Sequence, residues 1–336
     1  MTGASMSPTI WGDRAQVVCR DCGIEFFANW QPEMRPITSP PCWNCGGRLR
    51  TDKVAVELGQ MVSIDTAAYR VDRPKIGDVV AIRDTQGTRM KRIVANPGQT
   101  VSVRDGLLRC DERSMSADVP WMIVHDDSHR LNNESWWEST NAAWSKTSSG
   151  FSIALEETNV QPAILLYGHR SSYEALRSDI VRDDYQGNLT ETRQLRAVRN
   201  LGLKLDLEVH ASTTIELWHW TDMGIRQDRQ SFGPGIHHVS TRWENVPVQG
   251  VSPNGLDAEH PIGINVTTGA VTLQNLVVDR PLVYWVNETD DRSIRFPIRL
   301  GDDEYFVVGD NIPLSIDSRH TGAIERSSIL GRVLSD

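Results

Sequence analysis

No run in this sequence approaches the roughly 18–20 consecutive apolar residues that a helix needs to cross a bilayer. Its start lacks the basic and apolar regions of a signal peptide. The chain as given therefore reads as soluble. Clusters of lysine and arginine are missing too, and the formal net charge is −9. A partner held through phosphate contacts is disfavoured, so no nucleic-acid partner is expected. The sequence has no G-x-S-x-G elbow, no phosphate-cradling glycine loop, no H-E-x-x-H helix and no G-x-G-x-x-G turn, which leaves the corresponding hydrolase, nucleotide and metallopeptidase classes unsupported. Strong helical periodicity and internal repeats are likewise lacking.

The 336 residues, 39% hydrophobic and 24% charged, suit a soluble globular protein of two or three domains. Of five cysteines, four form two C-x-x-C pairs, Cys19 with Cys22 and Cys42 with Cys45. Two tight knuckles, each presenting two thiolates, match a zinc ribbon; the glycines after Cys22 and Cys45 permit the turns. Four protein ligands leave no open position for water, so the expected zinc is structural. Two disulfides are the alternative in an oxidising compartment. A unit of about residues 15–50 is too small to hold a core without such a brace. Cys110 reads as a small buried hydrophobe.

The remaining pattern is mainly β. Short runs such as Gln60–Asp65, Asp78–Arg83, Arg92–Val94 and Thr100–Arg104 are broken by Lys75-Ile76-Gly77-Asp78 and Arg104-Asp105-Gly106, and read as a compact antiparallel sheet or barrel carrying Lys91 on a strand. Residues 111–299 hold eight of the eleven tryptophans. Their runs Phe151–Leu155, Ala163–Tyr167, Leu203–Val209, Thr214–Trp218, Ile262–Val266, Leu273–Val278 and Leu282–Val286 predict a β-sandwich-like insertion. Buried tryptophans are the ordinary reading there, a sugar platform the other. The segment from Asp302 onward resumes the earlier β pattern, as expected if the ends of an insertion return to one sheet. His125-Asp126-Asp127-Ser128-His129 and His237-His238 have metal-like composition but no third group spaced to close a coordination sphere; solvated loops are the plainer reading.

The residues equipped for chemistry are a serine, a lysine and a polar turn. A serine hydroxyl needs a base, and lysine serves only when neutral, a state that burial away from counter-charge favours. Lys91, between Met90 and Arg92, has such apolar neighbours in Met90 and Ile93.

Three segments resemble the signal peptidase I family, the bacterial leader peptidases. Ala4-Ser5-Met6-Ser7-Pro8-Thr9-Ile10 is similar to the family's S-M-x-P-T-[LI] box, Lys91-Arg92-Ile93-Val94-Ala95-Asn96-Pro97-Gly98 to its lysine box, and Gly309-Asp310-Asn311 with Ser315-Ile316-Asp317-Ser318-Arg319 to its G-D-N-x-x-x-S-x-D-S-R box. The resemblance implies a catalytic domain built from residues 1–14, 54–110 and 300–336, with the zinc ribbon (15–50) and the tryptophan-rich β unit (111–299) inserted. It implies Ser5 as nucleophile, Lys91 as general base and Ser315 as the group orienting the lysine. Arg92, Asp310, Asn311, Asp317, Ser318 and Arg319 would form the scaffold, with the pairing of carboxylates and arginines open. The oxyanion donor would be the Ser5 N–H, since Gly3 stands where some members place a serine. Met6, Ile10 and Met90 are candidates for a shallow pocket accepting alanine-sized side chains, or for ordinary core. No catalytic cofactor is implied. The implied substrates are signal peptides of exported preproteins, cleaved at the outer, periplasmic face of the cytoplasmic membrane.

The family carries a membrane anchor just ahead of its nucleophile, whereas four residues precede Ser5 here; the expectation is a product that starts further upstream, or a degenerate copy. Gln99, Ala95 and Ile312-Pro313-Leu314 depart from the family pattern in the scaffold. A reading from another class is a non-catalytic binding protein that recognises a partner through the ribbon or the β insert. The self-cleaving repressor type lacks the third box.

Overall fold

The computed structural model describes residues 3–30, 40–84, 87–114, 119–130, 135–141, 143–155, 163–172, 176–189, 193–243, 255–286 and 294–334. It is mainly β, with antiparallel sheets throughout. Among these residues no helix is long and apolar enough to cross a membrane.

Six strands form the sheet that carries the lysine, in the order Ile324–Glu325, Glu304–Val308, Gly87–Ala95, Val79–Asp84, Ile329–Leu334, Ser63–Asp65. Val79–Ile82 is rich in β-branched and small apolar residues, which suits a pleated surface packed on both sides. It enters from a turn in which Gly77 has φ 94° and the Asp78 carboxylate accepts from the Lys75 amide at 2.9 Å and the Tyr69 hydroxyl at 2.9 Å. Gly87–Ala95 is one of the two central strands and is buried without a break from Met90 to Ala95. That burial on both faces is what removes Lys91 from water.

A four-stranded sheet, Ile298–Arg299, Thr100–Arg104, Leu107–Cys110, Arg113–Ser114, adjoins it. Its tight hairpin turns on Asp105 and Gly106, both at positive φ, as the right-handed twist of a two-residue turn requires. The ribbon is a three-stranded sheet with Arg14–Cys19 between Glu25–Asn29 and Leu49–Glu57.

The tryptophan-rich region is organised by two long strands, Leu201–Thr221 and Ile262–Pro281, paired along almost their whole length. The register breaks between Val209 and Thr214. There Gly269, at φ 88°, approaches so closely that a Cβ would stand under 3.0 Å from the Ser212 carbonyl, and the Thr213 hydroxyl donates to the Ala211 carbonyl at 2.6 Å. On one side of the break the pair is flanked by Gly235–Trp243, Gly150–Leu155 and Trp121–Asp126, on the other by Gly224–Phe232 and Ala163–Tyr167. Leu203, Leu205 and Leu207 share one core with Ile215, Leu217 and Ile264, so the bent pair supplies both layers of a sandwich.

The sequence runs Leu203–Val209 and Thr214–Trp218 are thus halves of one strand, as are Ile262–Val266 and Leu273–Val278. Leu282–Val286 is not a strand; only Trp285 forms a bridge, to Leu107. Gln60–Asp65 shortens to Ser63–Asp65. Trp136, Trp137, Trp144, Trp218 and Trp243 are buried.

The segments on either side of the tryptophan-rich region also share a core with it: Val94, Val101, Leu108, Phe306 and Ile312 pack with Met122, Tyr185, Leu282, Tyr284 and Val286. Residues 111–299 are therefore joined to the lysine sheet by apolar packing, and not by their two chain crossings alone.

Candidate active site and metal centre

Lys91 sits mid-strand opposite Val80, 2% exposed. Its amine donates to the Ser315 hydroxyl at 3.0 Å. Burial pushes the Lys91 amine down to about 8; Asp317 pulls it back up, Arg89 and Arg319 push it down, and Asp310 pulls it up. Desolvation is the largest of these influences, and the charges around the amine act in both directions.

Ser315 is presented by the turn after Glu304–Val308. Gly309 is the requirement here: a Cβ on it would lie within 3.0 Å of both the Ser315 hydroxyl and the Ser5 carbonyl oxygen. Those two oxygens are therefore neighbours across a bare Cα, and the first and third boxes meet at that point. The Asn311 amide donates to the Ser5 carbonyl at 3.0 Å, and the Asn311 side chain donates to the Ser7 hydroxyl at 2.9 Å. Residues 4–10 are wound into a turn by Ser7 N–H to Ala4 O (3.2 Å) and Ile10 N–H to Met6 O (2.9 Å). Ser5 itself is half-buried. Among the described residues no hydrogen bond joins the Ser5 hydroxyl to Lys91.

Two buried ion pairs brace the turn. Arg92 grips Asp310 with two bonds of 2.8 and 2.7 Å and also donates to the Gly77 carbonyl at 2.7 Å; Thr9 donates to the same carboxylate. Arg319 grips Asp317 at 2.8 and 2.9 Å and donates to the carbonyls of Ile312, Ser315 and Trp285. Burial works against the Asp317 carboxylate, but the Arg319 charge and the Gly309 amide bond overcome it and hold its pKa below the usual range. Asp317 also caps the four-residue helix Ser318–Thr321, and the Ser318 hydroxyl accepts from the Val307 amide at 3.0 Å. These paired, hydrogen-bonded charges make the turn rigid, since removing one partner strands the other in a dry interior.

Met6, Ile10 and Met90 lie in one apolar cluster with Ala81 and Val333, none of the three more than 8% exposed.

The structure adds residues on which the sequence gives no signal. The Tyr284 hydroxyl donates to the Asp310 carboxylate at 2.9 Å and the Tyr185 hydroxyl to the Asp310 carbonyl at 2.8 Å. Burial first, then the Asp310 charge, push the Tyr284 phenol well above its ordinary range, so it stays a donor. Asn188 exchanges two bonds of 2.9 Å with the Asn311 side chain. All three lie between residues 111 and 299. They are isolated tyrosines and an asparagine in loops, more than 100 positions from Asp310 in the case of Tyr185, and no periodicity marks them.

Cys19, Cys22, Cys42 and Cys45 bring their sulfurs within 4.8 Å of one another. Cys19 to Cys45 is 3.6 Å and Cys22 to Cys42 is 3.9 Å; all four are free thiols, not disulfides. Four sulfurs about 2.3 Å from a tetrahedral zinc stand about 3.8 Å apart, so the donor set and spacing fit that ion. Gly23 and Gly46 close the two knuckles at φ 74° and 68°, and the Gly47 amide points at the Cys45 sulfur at 3.3 Å. Contacts with Cys19 and Cys22, together with burial, push the Cys42 thiol well up; such crowding favours a cation that takes the thiolates. No other group of three or more ligating side chains occurs among the described residues. His125 is buried and stacked on Trp136 at 4.2 Å, while His238 on the exposed strand bonds Asp206 at 2.6 Å.

Two variants of a family 29 carbohydrate-binding module are similar to parts of the chain. Each covers 48% of this chain and 92% of the module, at 9% and 10% identity, with a TM-score of 0.27; at that score the likeness carries no argument. No curated protein matches. A family model described as signal peptidase, peptidase S26, matches residues 53–156 and 264–335, more than half of the sequence, including Lys91 and the whole Gly309–Arg319 turn. The chain belongs to the signal peptidase family, peptidase S26.

Proposed function

We propose that the protein is a serine endopeptidase with a Ser5/Lys91 dyad that removes N-terminal signal peptides from exported preproteins. The observation that carries this reading is the buried Lys91 amine, lowered to about 8 and held by Ser315, beside the turn that bears Ser5. A lysine with that pKa is about one-tenth neutral at pH 7 and can act as a general base.

In this reading Ser5 Oγ attacks the scissile carbonyl and passes its proton to the Lys91 amine. The oxyanion is received by the Ser5 backbone N–H, a preorganised donor. The ammonium then protonates the departing amine, leaving an acyl-enzyme on Ser5. Water enters, loses its proton to Lys91 and releases the signal peptide. Met90, at the edge of the apolar cluster with Met6 and Ile10, would border the small-residue pocket. Cleavage at the outer face of the cytoplasmic membrane, and zinc at the four cysteines, complete the proposal.

The test is a leader peptide with alanine at the positions flanking the cut. Ser5→Ala and Lys91→Ala are each expected to abolish cleavage while the circular dichroism of the fold is unchanged. Full activity in either variant overturns the dyad. A wild-type protein that binds the peptide without cleaving it would support the retired-peptidase reading instead.

A further inference from the structure

Asn188 reaches the catalytic turn from the insertion, in the segment Tyr185–Asn188 closed by an Asn188 N–H to Tyr185 O bond of 2.7 Å. This segment is seated from two sides. On the ribbon side the Asn29 amide donates to the Gly187 carbonyl at 2.8 Å and the Asn29 side chain to Asn188 Oδ1 at 2.6 Å; Gly187 leaves no room for a Cβ, which would fall 2.9 Å from the Trp11 ring. On the other side lie Asp310 and Asn311.

The bonds beyond Asn311 run in one direction. Asn188 takes one Asn311 amide hydrogen on its Oδ1 and gives one of its own to Asn311 Oδ1, leaving Asn311 with a single orientation. The second Asn311 amide hydrogen then meets the Ser7 hydroxyl, and that hydroxyl donates to the Ala4 carbonyl at 3.0 Å. Ala4 O and Ser5 N–H are opposite ends of one planar peptide unit, so fixing the carbonyl fixes the direction of the N–H. The three side chains that carry the route are dry: Asn311 is 0%, Ser7 2% and Asn188 7% exposed. Only a primary amide supplies both a donor and an acceptor to Asn311 in this geometry.

We propose that Asn188 is a positioning residue which, through Asn311 and Ser7, aims the Ser5 N–H at the oxyanion. This rests on the reading of Ser5 as nucleophile. It makes the insertion part of the machinery although Asn188 touches neither substrate nor the reacting atoms.

Three kinetic marks distinguish aiming from general support. Asn188→Ala is expected to lower kcat about tenfold to a hundredfold, with KM unchanged. The pH midpoint of the rate stays where wild type has it, because Lys91 is untouched. Ser7→Ala is expected to lower kcat similarly, and the double variant to be no worse than the poorer single one. Multiplying effects, or a kcat within about twofold of wild type, overturn the proposal. Should Asn188→Ala fail to fold, Asn188→Asp takes its place: it keeps the size but turns the donation to Asn311 Oδ1 into an acceptor facing an acceptor, with at least the same kcat loss expected.

Amide hydrogen exchange gives a readout independent of cleavage. The Asn311 and Ser7 amides are expected to exchange at least tenfold faster in the Asn188 variants, and unchanged protection refutes the coupling. If wild type does not cleave while this exchange accelerates, the hydrogen-bond route stands and the peptidase reading falls.

Discussion

Replacing Lys91 by methionine should destroy activity and stabilise the protein, and the gain should disappear at high pH. The amine lies at about 8 in the fold against an ordinary 10.5, a shift worth about 3 kcal/mol at about 1.4 kcal/mol per unit. The sign follows from proton counting. Below pH 8 both folded and unfolded chains carry the proton, and the full cost of burying it is present. Between pH 8 and 10.5 the unfolded chain keeps a proton that the fold has released, so stability rises with pH; above 10.5 the cost is gone. Lys91→Met keeps the length of the side chain but loses the bond to Ser315, worth about 1 kcal/mol. The variant should thus be about 2 kcal/mol more stable than wild type below pH 8, and no more stable, or slightly less, above 10.5. Urea unfolding of both proteins at pH 7, 9 and 10.5 measures this, and taking the difference cancels every other titrating group. A difference independent of pH would refute the argument that desolvation sets the lysine. In the same reasoning wild-type kcat/KM climbs about tenfold per pH unit below 8 and levels above 9.

Gly309→Ala should lower activity at least a hundredfold, because its Cβ would press on the Ser5 carbonyl and the Ser315 hydroxyl together; steady-state cleavage measures it, and near-wild-type activity would contradict the contact between the two boxes. Purified protein should release one zinc per chain on denaturation, read by a metal indicator. Stripping that ion, or Cys42→Ser, should lower the unfolding temperature of the ribbon by several degrees or unfold it, since metal binding in such small units is folding energy; protein free of zinc and indifferent to chelation would refute the assignment.

What is legible of the candidate site is carried by short-range signatures. C-x-x-C spacing places two thiolates per knuckle whatever surrounds them, and the three boxes each hold their geometry in a few residues, as Asp317 capping its own helix and gripping Arg319 illustrates. The pairing of Arg92 with Asp310 and Arg319 with Asp317 was not legible, because either arginine could serve either carboxylate until strand register decides. Tyr185, Asn188 and Tyr284 were invisible for a different reason: their partners are distant in sequence and each is a single polar side chain in a loop. The sequence pattern divides the bent strands because the alternation of Leu203–Val209 lapses at Ala211-Ser212-Thr213 before resuming; the lapse marks a register break within one strand, which no local pattern distinguishes from a turn.

The bond between Ser7 and Asn311 spans 304 positions of sequence. At a synthesis rate of about 5–20 residues per second, the turn bearing Ser5 waits about 15–60 s for the partner that holds it. Through that interval the lysine strand has neither Glu304–Val308 beside it nor Ser315 at its amine. The Arg14–Glu57 sheet can therefore close early, whereas the turn bearing Ser5 and the strand bearing Lys91 gain their last partners only when the final sheet strands have been made.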